Sequence, residues 1–503
     1  MTEASFSLID ELWIPIADVG RVSLKQLFTE SGYRALGGNP VQKIALTKLL
    51  LAIAQAAYTP EDDDDWAALG AGGMAEKCLV YLEQWRDRFD LYGERPFLQL
   101  NELKDFKTQT IGALCQHIAT GNTTILYQSQ VEMVIDDAEW ALMILVDQNF
   151  SVKHNLAYGA LTLEGGKGKG KVTKSGPALG SGSYLHHFLQ GSYLHQTIWF
   201  NQLSKEVINQ LSFKYKLEQS KPVWEFSITD RESQESDIVK NSYLGRLCPL
   251  SRFIVRDGNK LKYCEGIVYP NHTEGVREVS VAFSETKNGE TKALNVNPEF
   301  RPWRSLPALL SFFIIAHNQS SGWECLQLKL SLYAGRVQDH GEGFGIWSGG
   351  ILLSGDIFSQ FAKGNDDIVE SNVWLENNFF EDPSGWITKL QLEIEELDQL
   401  SNIVYSSTLN YFKSQKAEGK KQAAMASHLY WQLCERQFQA LVNVCYDFNQ
   451  AQAMRKTFAR FAQKAYDSFC PNHTARQLNA WAANTPNLGK YLKDINQPEQ
   501  AKA

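Results

Sequence analysis

The chain has 503 residues, of which 44% are hydrophobic, 12% aromatic and 21% charged. This composition excludes intrinsic disorder, because the apolar residues can bury enough area to offset the entropy of ordering the chain. The most apolar run, residues 44–57, is interrupted by polar side chains and is shorter than the roughly 20 residues of a membrane span. The first residues show no basic segment followed by an apolar one, so we expect a cytoplasmic protein without a secretory signal.

The net charge of −8 is unevenly distributed. Residues 386–503 contain 14 Lys+Arg and 10 Asp+Glu, whereas residues 1–385 contain 35 and 47. A protein that binds nucleic acid over its whole surface is normally basic throughout. The sequence therefore predicts contact with phosphates at local patches or not at all.

The eight cysteines are widely spaced and form no Cys-x-x-Cys pair. In a chain of this length they are typical of reduced, mostly buried thiols. Structural zinc requires clustered nitrogen or sulfur ligands, so no metal site is predicted.

The N-terminal elements are predicted from apolar spacing and from turn residues. Residues 6–16 are predicted to form a short strand that ends at Pro15, followed by a further short element over Val22–Phe28. Helices are predicted over Val41–Tyr58 and Leu79–Leu91. The acidic run Glu61–Asp65 suits a solvated helix N-terminus, where negative charge is favourable.

The centre, roughly residues 220–350, favours strands, and the C-terminus favours helices. The predicted strands are Val223–Ile228, Phe253–Val255, Lys260–Val268 and Glu278–Phe283. The predicted C-terminal helices are Trp386–Phe412, Gln422–Tyr446, Gln450–Phe469 and Thr474–Leu492. We therefore predict an α+β protein in which a mixed domain with a β-rich centre, residues 1–380, precedes a four-helix bundle, residues 381–503.

The segment Gly165–Gly182 combines seven glycines and four lysines without an acidic residue. Glycine lets backbone N–H groups approach an anion closely, and the lysines add mobile positive charge. The composition predicts contact with an anion or a nucleic acid, and a solvated flexible linker is the alternative interpretation.

The same segment comes close to the nucleotide-binding P-loop, because four residues separate Gly165 from Gly170-Lys171. Val172 stands where a Ser or Thr would bind magnesium, and the apolar run ending in Asp147 precedes the loop instead of following it. An NTPase is therefore a secondary hypothesis.

The sequence shows no Gly-x-Ser-x-Gly elbow, no His-Glu-x-x-His motif and no known cysteine nucleophile signature, so no catalytic residue or cofactor is predicted.

Two other segments are candidates for nucleic-acid contact. Gly121–Gln130 carries Tyr127 at its centre, and Gly335–Gly341 is a turn bracketed by glycines with Arg336, Gln338 and His340 at its tip. An amide-bearing turn can wedge into a DNA groove. Tertiary packing of the first segment and an ordinary polar hairpin tip for the second are equally compatible with the sequence.

Two motifs in fixed order resemble the CasA family, the large subunit of the type I-E Cascade CRISPR surveillance complex. The first is Leu8-Ile9-Asp10-x-x-Trp13-Ile14-Pro15, and the second is Trp85-x-x-x-Phe89 followed by Glu94-Arg95-Pro96-Phe97-x-Gln99. The order of mixed domain, glycine-rich loop, β-rich centre and helical C-terminus also resembles this family. The resemblance extends over essentially the whole chain.

The resemblance implies a non-enzymatic role: reading the protospacer-adjacent motif on duplex DNA, starting strand separation and helping to recruit the nuclease-helicase. The implied partners are the other Cascade subunits, the 5′ handle of the CRISPR guide RNA and double-stranded target DNA. The implied nucleic-acid contacts are Leu126, Tyr127 and Gln128 in a first loop; Gly165, Gly166, Lys167, Gly168, Lys169, Gly170, Lys171 and Lys174 in the glycine loop; Arg256 and Lys260 in a basic hairpin over Arg252–Lys262; and Gln338, Asp339 and His340 in a wedge.

Two features depart from the pattern of the family. Asp339 stands in the wedge where an amide is usual, and the glycine loop is interleaved with lysines. Since lysines attract phosphates irrespective of sequence, motif reading is expected to be more electrostatic here than in relatives with a purer glycine loop. A scaffold subunit without DNA contact is a further alternative.

Overall fold

The computed structural model describes residues 5–105, 108–111, 134–151, 179, 182–228, 230–286, 288–314, 322–333, 335–338, 343–352 and 367–493. Its helices are α1 (Leu24–Thr29), α2 (Pro40–Ala57), α3 (Asp63–Gln84), α4 (Asp137–Phe150), α5 (Leu194–Asn201), α6 (Lys205–Gln210), α7 (Gln234–Lys240), α8 (Tyr243–Leu247), α9 (Leu306–Leu309), α10 (Leu326–Tyr333), α11 (Pro383–Ser414), α12 (Lys420–Glu435), α13 (Phe438–Val444), α14 (Phe448–Phe469), α15 (Ala475–Ala483) and α16 (Gly489–Lys493). Its strands are β1 (Ile14–Ile16), β2 (Gly20–Val22), β3 (Gln109–Thr110), β4 (His186–Gln190), β5 (Arg252–Asp257), β6 (Lys260–Glu265), β7 (Ala282–Glu285), β8 (Thr291–Ala293), β9 (Glu324–Cys325), β10 (Phe344–Leu352) and β11 (Asp367–Leu375).

The described strands form four small sheets, in the orders β1-β2, β11-β10-β4, β3-β6-β5 and β8-β7-β9. The pair β5–β6 is antiparallel, from Arg252 opposite Glu265 to Asp257 opposite Lys260. The pair β4–β10 is antiparallel as well, with His186 opposite Gly349. Small antiparallel sheets together with helices confirm the predicted α+β class.

Contacts divide the described residues into two compact units. The first draws on Met1–Pro302 and Ser320–Asn372, and the second on Trp303–Gln319 and Val373–Ala503.

Helix α2 forms the centre of the first unit. Asn39 and Gln42 cap its N-terminus by exchanging side-chain and backbone hydrogen bonds of 2.9 and 3.0 Å, and Pro40 occupies the first helical position. Fourteen of its 18 residues are buried, because α3, α4, α5, α8 and β10 pack around it. The helix predicted over Val41–Tyr58 is confirmed.

Other N-terminal predictions need correction. Of the strand predicted over residues 6–16, only Ile14–Ile16 forms β1. This strand contains Pro15 instead of ending there, which a two-stranded ribbon tolerates because each of its strands is an edge. Ser23 caps α1, so most of Val22–Phe28 is helical. Helix α3 spans Asp63–Gln84 and not Leu79–Leu91: Asp62 caps its start, and Gly70, with a φ of 63°, interrupts its geometry. Glycines 70, 72 and 73 hide the apolar period in the sequence.

Most of the predicted central strands are present. Strands β5 and β6 match Phe253–Val255 and most of Lys260–Val268, and β7 overlaps the end of Glu278–Phe283. The predicted strand Val223–Ile228 is wrong, because Val223–Glu225 forms a 3-10 turn. Trp224 drives this difference: its indole N–H donates to the Tyr81 hydroxyl at 2.8 Å and its ring packs on Phe89 and Phe97.

The predicted C-terminal helical region is confirmed in the second unit. Helix α11 packs against α12, α14 and α15, and α14 also contacts α12, α13 and α16. Two of the four predicted helices are each divided in two. Gln422–Tyr446 breaks between α12 and α13, and Thr474–Leu492 breaks around Pro486, which lacks the N–H that a continuous helix needs.

Candidate nucleic-acid interface

The structure describes three of the sixteen residues predicted to contact nucleic acid: Arg256, Lys260 and Gln338. The remaining thirteen lie outside the described residues: Leu126, Tyr127, Gln128, Gly165, Gly166, Lys167, Gly168, Lys169, Gly170, Lys171, Lys174, Asp339 and His340.

The two motifs that resemble the CasA family contact each other and support the basic hairpin. The amide of Leu8 donates to the Phe89 carbonyl at 2.8 Å, and the rings of Phe89 and Phe97 stack with centroids 5.4 Å apart. Gln99 donates to the Leu91 carbonyl at 3.0 Å and accepts from the backbone amide of Arg256 at 3.0 Å. The motif residues thus hold the hairpin β5–β6 in place, which their linear spacing does not reveal.

Arg256 lies on this hairpin, but its guanidinium is engaged within the protein. It pairs with Asp137 at the start of α4 and donates to the Tyr92 hydroxyl at 2.7 Å and the Gly258 carbonyl at 3.0 Å. Burial, and then the hydrogen bond to Asp137, raise the pKa of Tyr92 to about 12. Only 11% of the Arg256 side chain is exposed, so its first role is to tie the hairpin to α4.

Lys260 begins β6 at the exposed end of the hairpin. Within the described part of the chain, no carboxylate lies within ion-pair distance of its ammonium group. Lys262 faces Asp257 at 3.5 Å, and Arg252 is buried. Lys260 is therefore the basic residue of this hairpin that is best placed to meet a phosphate.

The described part of the predicted wedge turn, residues 335–338, comes after helix α10 and before strand β10 in the chain. Gly335 has a φ of 67°, a conformation that favours glycine, and its carbonyl accepts from the amide of Gln338 at 2.9 Å. Gln338 is exposed, as a wedge residue must be.

Arg336 was predicted at the tip of this turn, and that prediction is wrong because Arg336 is only 2% exposed. Its Nη2 pairs with Asp63 Oδ1 at 2.6 Å, Nη1 donates to the Gln202 carbonyl, and the guanidinium lies 4.9 Å from the Trp66 ring centroid. Trp66 in turn stacks on Trp199, with parallel rings 3.9 Å apart. The paired charge and the aromatic face together offset part of the cost of burying the guanidinium.

This contact joins two motifs that the sequence leaves unrelated. Asp63 belongs to the acidic run that opens α3, and 273 residues separate it from Arg336. The pairing fixes the first half of the wedge turn on α3 and leaves Gln338 in solvent. Arg336 is thus a residue that positions the wedge turn. The local sequence Gly-Arg-Val carries no signal that predicts its pairing with Asp63.

Three histidines that lie close together in the sequence, His186, His187 and His195, are core residues. His186 and His187 are buried and hydrogen-bond through Nδ1 to Ser280 and Ser348, at 3.0 and 2.8 Å. His195 contacts the Leu27 carbonyl at 2.7 Å and stacks on Phe28. Within the described residues, no group of three His, Cys, Asp or Glu side chains is arranged to hold a metal ion.

Acid is expected to destabilise the first unit through these histidines. Burial lowers the pKa of both His186 and His187 from 6.5 to about 3, so the unfolded chain binds two more protons between these values. Asp147 offsets one of them, because burial raises its pKa to about 7 and the folded state keeps that proton. The free energy of unfolding should therefore fall by roughly 1.4 kcal/mol per pH unit between pH 6 and pH 4.

Urea denaturation at several pH values, followed by tryptophan fluorescence, measures this slope. The exposed residues His428 and His473 provide the control, because replacing both with Asn should leave the slope unchanged. Constant stability from pH 6 to pH 4 would contradict the assignment of His186 and His187 as neutral buried groups.

Asp147, the only acidic residue that the sequence offered as a magnesium ligand for the P-loop-like segment, does not lie where such a ligand would. The run ending in Asp147 lies in α4, a helix, whereas such a partner would end a strand. Asp147 is buried, and its Oδ2 has no hydrogen-bond partner among the described residues. Its position does not suit a magnesium ligand beside a nucleotide.

The second unit carries a local basic patch, as the charge distribution predicts. Lys413, Lys416, Lys420 and Lys421 surround the connection between α11 and α12, and all four are exposed. Among the described helices, none is both long enough and apolar enough to cross a bilayer.

Comparisons with known proteins identify the family. Residues 7–468 match the sequence model of the CRISPR-associated protein Cse1. A curated relative, the CRISPR-associated protein CasA/Cse1 of Thermus thermophilus, is 28% identical over 327 residues, which cover 61% of this chain. The match spans 60% of the length of that relative.

Solved structures share the fold over nearly the whole chain. The crystal structure of Thermus thermophilus CasA has a TM-score of 0.72 at 20% identity and covers 97% of this chain and 99% of its own. That of Thermobifida fusca Cse1 has a TM-score of 0.72 at 19% identity and covers 98% of both chains. A chain from a CRISPR RNA-guided surveillance complex has a TM-score of 0.66 at 12% identity and covers 98% of this chain and 100% of its own. Since the family match covers most of the sequence, this chain belongs to the Cse1 family of CRISPR-associated proteins, also named CasA.

Proposed function

We propose that this chain is the non-catalytic large subunit of a type I-E Cascade complex, an RNA-guided antiviral assembly. In this role it reads the protospacer-adjacent motif on duplex DNA, starts R-loop formation and helps to recruit the nuclease-helicase. The family match over residues 7–468 carries the proposal. The similar structure described as a CRISPR RNA-guided surveillance complex supports membership in such an assembly.

The distribution of charge supports local contact with DNA. The acidic first unit offers Lys260 on its hairpin and the four lysines of the glycine loop, and the second unit offers the basic patch around Lys413. The minor groove presents a degenerate pattern of acceptors, so a glycine loop that senses groove width would allow permissive reading of a short motif. Base pairing with the guide RNA would then read the rest of the target.

The guide RNA and the protein subunits are the other proposed partners. Leu126, Tyr127 and Gln128 would meet the 5′ handle of the guide RNA, as the resemblance to the family implies. These proposed contacts are consistent with a cytoplasmic protein.

A gel-shift assay tests the proposal directly. The complex is reconstituted with and without this chain and mixed with duplexes that are randomised beside the target. The chain should confer a preference for particular flanking sequences. A scaffold subunit would leave the selected sequences identical in both preparations, and that result would contradict the proposal.

Replacing Gln338 and His340 with Ala should slow R-loop initiation on relaxed DNA roughly tenfold or more, because opening a base step costs a few kcal/mol. Negative supercoiling assists strand separation and should partly restore the rate. The measurement is the rate of R-loop formation on relaxed and supercoiled targets, with assembly of the complex checked by size exclusion. The matched control is replacement of the exposed residues Gln432 and His428 on α12 with Ala. Equal rates for the wedge variant and wild type on relaxed DNA would exclude the wedge role.

The isolated chain should neither hydrolyse ATP nor cut DNA, since its sequence shows no complete P-loop and no nucleophile signature. Radiolabelled ATP and supercoiled plasmid, each with magnesium, provide the assays. Turnover that Lys171→Ala abolishes, in protein free of helicase contamination, would favour the NTPase alternative instead.

A further inference from the structure

The second unit contains a cavity of about 300 Å³ whose lining is both aromatic and acidic. The end of β11 and the segment after it, the start of α11, and the end of α13 with the residues that follow it line this cavity. Four aromatic and three acidic residues line it, together with Asn378 and Asn443: Trp374, Phe379, Trp386, Tyr446, Glu376, Glu381 and Asp382. No Lys, Arg or His is among the lining residues. We refer to it as the acidic aromatic cavity.

The contacts that hold the walls of this cavity in place do not involve the side chains of Glu376 or Glu381. Gln439 on α13 accepts from the Trp374 amide at 2.9 Å and donates to its carbonyl at 2.8 Å. The buried rings of Phe379 and Trp386 meet edge to face, with centroids 5.1 Å apart. The cavity is therefore preformed, and a ligand would not have to order it.

The three carboxylates differ in how far they are engaged. Asp382 caps α11 by accepting from the Gly385 amide at 2.9 Å, and it accepts from the Tyr446 hydroxyl at 2.7 Å. These two hydrogen bonds hold its pKa below the ordinary value, so it is charged at neutral pH. Glu376 and Glu381 are exposed and pair with no cation among the residues that the structure describes. The cavity thus presents a net negative charge without a counter-ion from the protein.

The charge of the cavity selects the class of ligand. Residues 386–503, which follow these carboxylates in the sequence, carry a net charge of +4, so the acidic cavity adjoins a basic part of the chain. Carboxylates repel phosphates, which excludes the backbone of DNA or RNA as the occupant. Aromatic rings beside carboxylates attract a cation, and a planar guanidinium satisfies both groups because it stacks on rings and donates to carboxylates through a fork of N–H groups.

We propose that the acidic aromatic cavity binds an arginine side chain of another protein in the complex. Tyr446, with 55% of its surface exposed, would stack on the guanidinium, and Glu376 and Glu381 would accept its hydrogen bonds. This surface then serves protein–protein contact, separately from the DNA-reading residues. This inference rests on the cavity and on the proposed membership of the chain in the complex, and it does not require that the wedge or the glycine loop read DNA.

The test compares Glu376→Gln/Glu381→Gln with a matched control, Glu395→Gln/Glu418→Gln. The control removes two exposed carboxylates from the same unit outside the cavity. All four residues are exposed, so both variants should fold. Because Trp374 and Trp386 line the cavity, tryptophan fluorescence of the full chain reports binding of a probe peptide, acetyl-Gly-Gly-Arg-Gly-Gly-amide.

The arginine peptide should bind the wild-type chain saturably, and the citrulline peptide should not. The Glu376→Gln/Glu381→Gln variant should bind the arginine peptide about fivefold or more weakly, whereas the control variant should bind it as tightly as wild type. Tyr446→Ala should weaken it too, and Tyr446→Phe should not. Binding that is equal for the citrulline peptide, or unchanged in the cavity variant, would overturn the proposal. Spermidine that competes with the peptide and binds more tightly would assign the site to a free amine and would overturn it as well.

The partner is tested in the assembled complex. We expect the cavity variant to raise one of two dissociation rates about tenfold. The first is the rate at which this chain leaves the reconstituted complex, and the second is the rate at which the nuclease-helicase leaves it. If neither rate changes, the cavity does not bind a partner arginine. Motif preference in the gel shift should be unchanged in either case, so failure here is distinguishable from failure of the proposed DNA-reading function.

Discussion

Changing Lys167, Lys169, Lys171 and Lys174 to Gln is expected to weaken binding of the complex to all duplexes alike, by about a hundredfold at low salt if each lysine meets a phosphate. Each lost contact should flatten the slope of log affinity against log salt by about 0.9. The measurement is the dissociation constant for motif-bearing and motif-free duplexes between about 50 and 200 mM salt, the range over which such contacts matter. The matched control changes the exposed residues Lys25, Lys77, Lys221 and Lys292 to Gln, which removes the same charge from the first unit.

The glycines of this loop should behave differently from its lysines. Gly168→Ala or Gly170→Ala adds a methyl group that either clashes with the groove floor or disfavours a positive φ. Affinity should then fall mainly for motif-bearing duplexes, and the salt slope should barely change. Deletion of residues 167–174 without effect on affinity or on motif preference would show that the loop is only a linker.

Replacing Glu278 with Gln is expected to lower the free energy of unfolding by about 3–5 kcal/mol, because it leaves two buried cations without their anion. Lys48 Nζ lies 2.5 Å from Glu278 Oε1, and Arg246 Nη2 lies 3.5 Å from Oε2, with all three side chains buried. Burial alone would raise the pKa of Glu278, but the two neighbouring cations more than offset this, and its pKa is lowered. Burial lowers the pKa of Lys48 and of Arg246, so the charged form of each side chain costs more free energy once the carboxylate is gone.

Chemical denaturation of the variant measures this effect. Glu285→Gln is the control: Glu285 pairs with Arg277 at 3.1 Å but is largely exposed, so its loss should cost less than about 1 kcal/mol. Adding Lys48→Met to Glu278→Gln should recover part of the loss, since only one buried cation then remains. Equal stability of the Glu278 and Glu285 variants would contradict a buried ionic cluster at the centre of the first unit.

The sequence by itself determined the elements whose signals are local. The apolar spacing of α2 and α11 predicts helices, because a helix is stabilised by hydrogen bonds and packing faces that repeat within a few residues. The two motifs that resemble CasA led to the correct family, and the order of mixed, β-rich and helical segments predicted the class of fold.

Only the tertiary structure decided the environment of each charged candidate. Arg256 and Arg336 look alike in sequence, as basic residues near glycines in polar turns, yet each pairs with a carboxylate, Asp137 or Asp63, that lies 119 or 273 residues away. Such pairs form because folding buries a guanidinium, and a buried charge is stable only beside an opposite charge that another element supplies. Lys260 remains exposed for the complementary reason: among the described residues, no carboxylate lies within ion-pair distance of its ammonium group, and Asp257, which lies opposite it on β5, faces Lys262 instead.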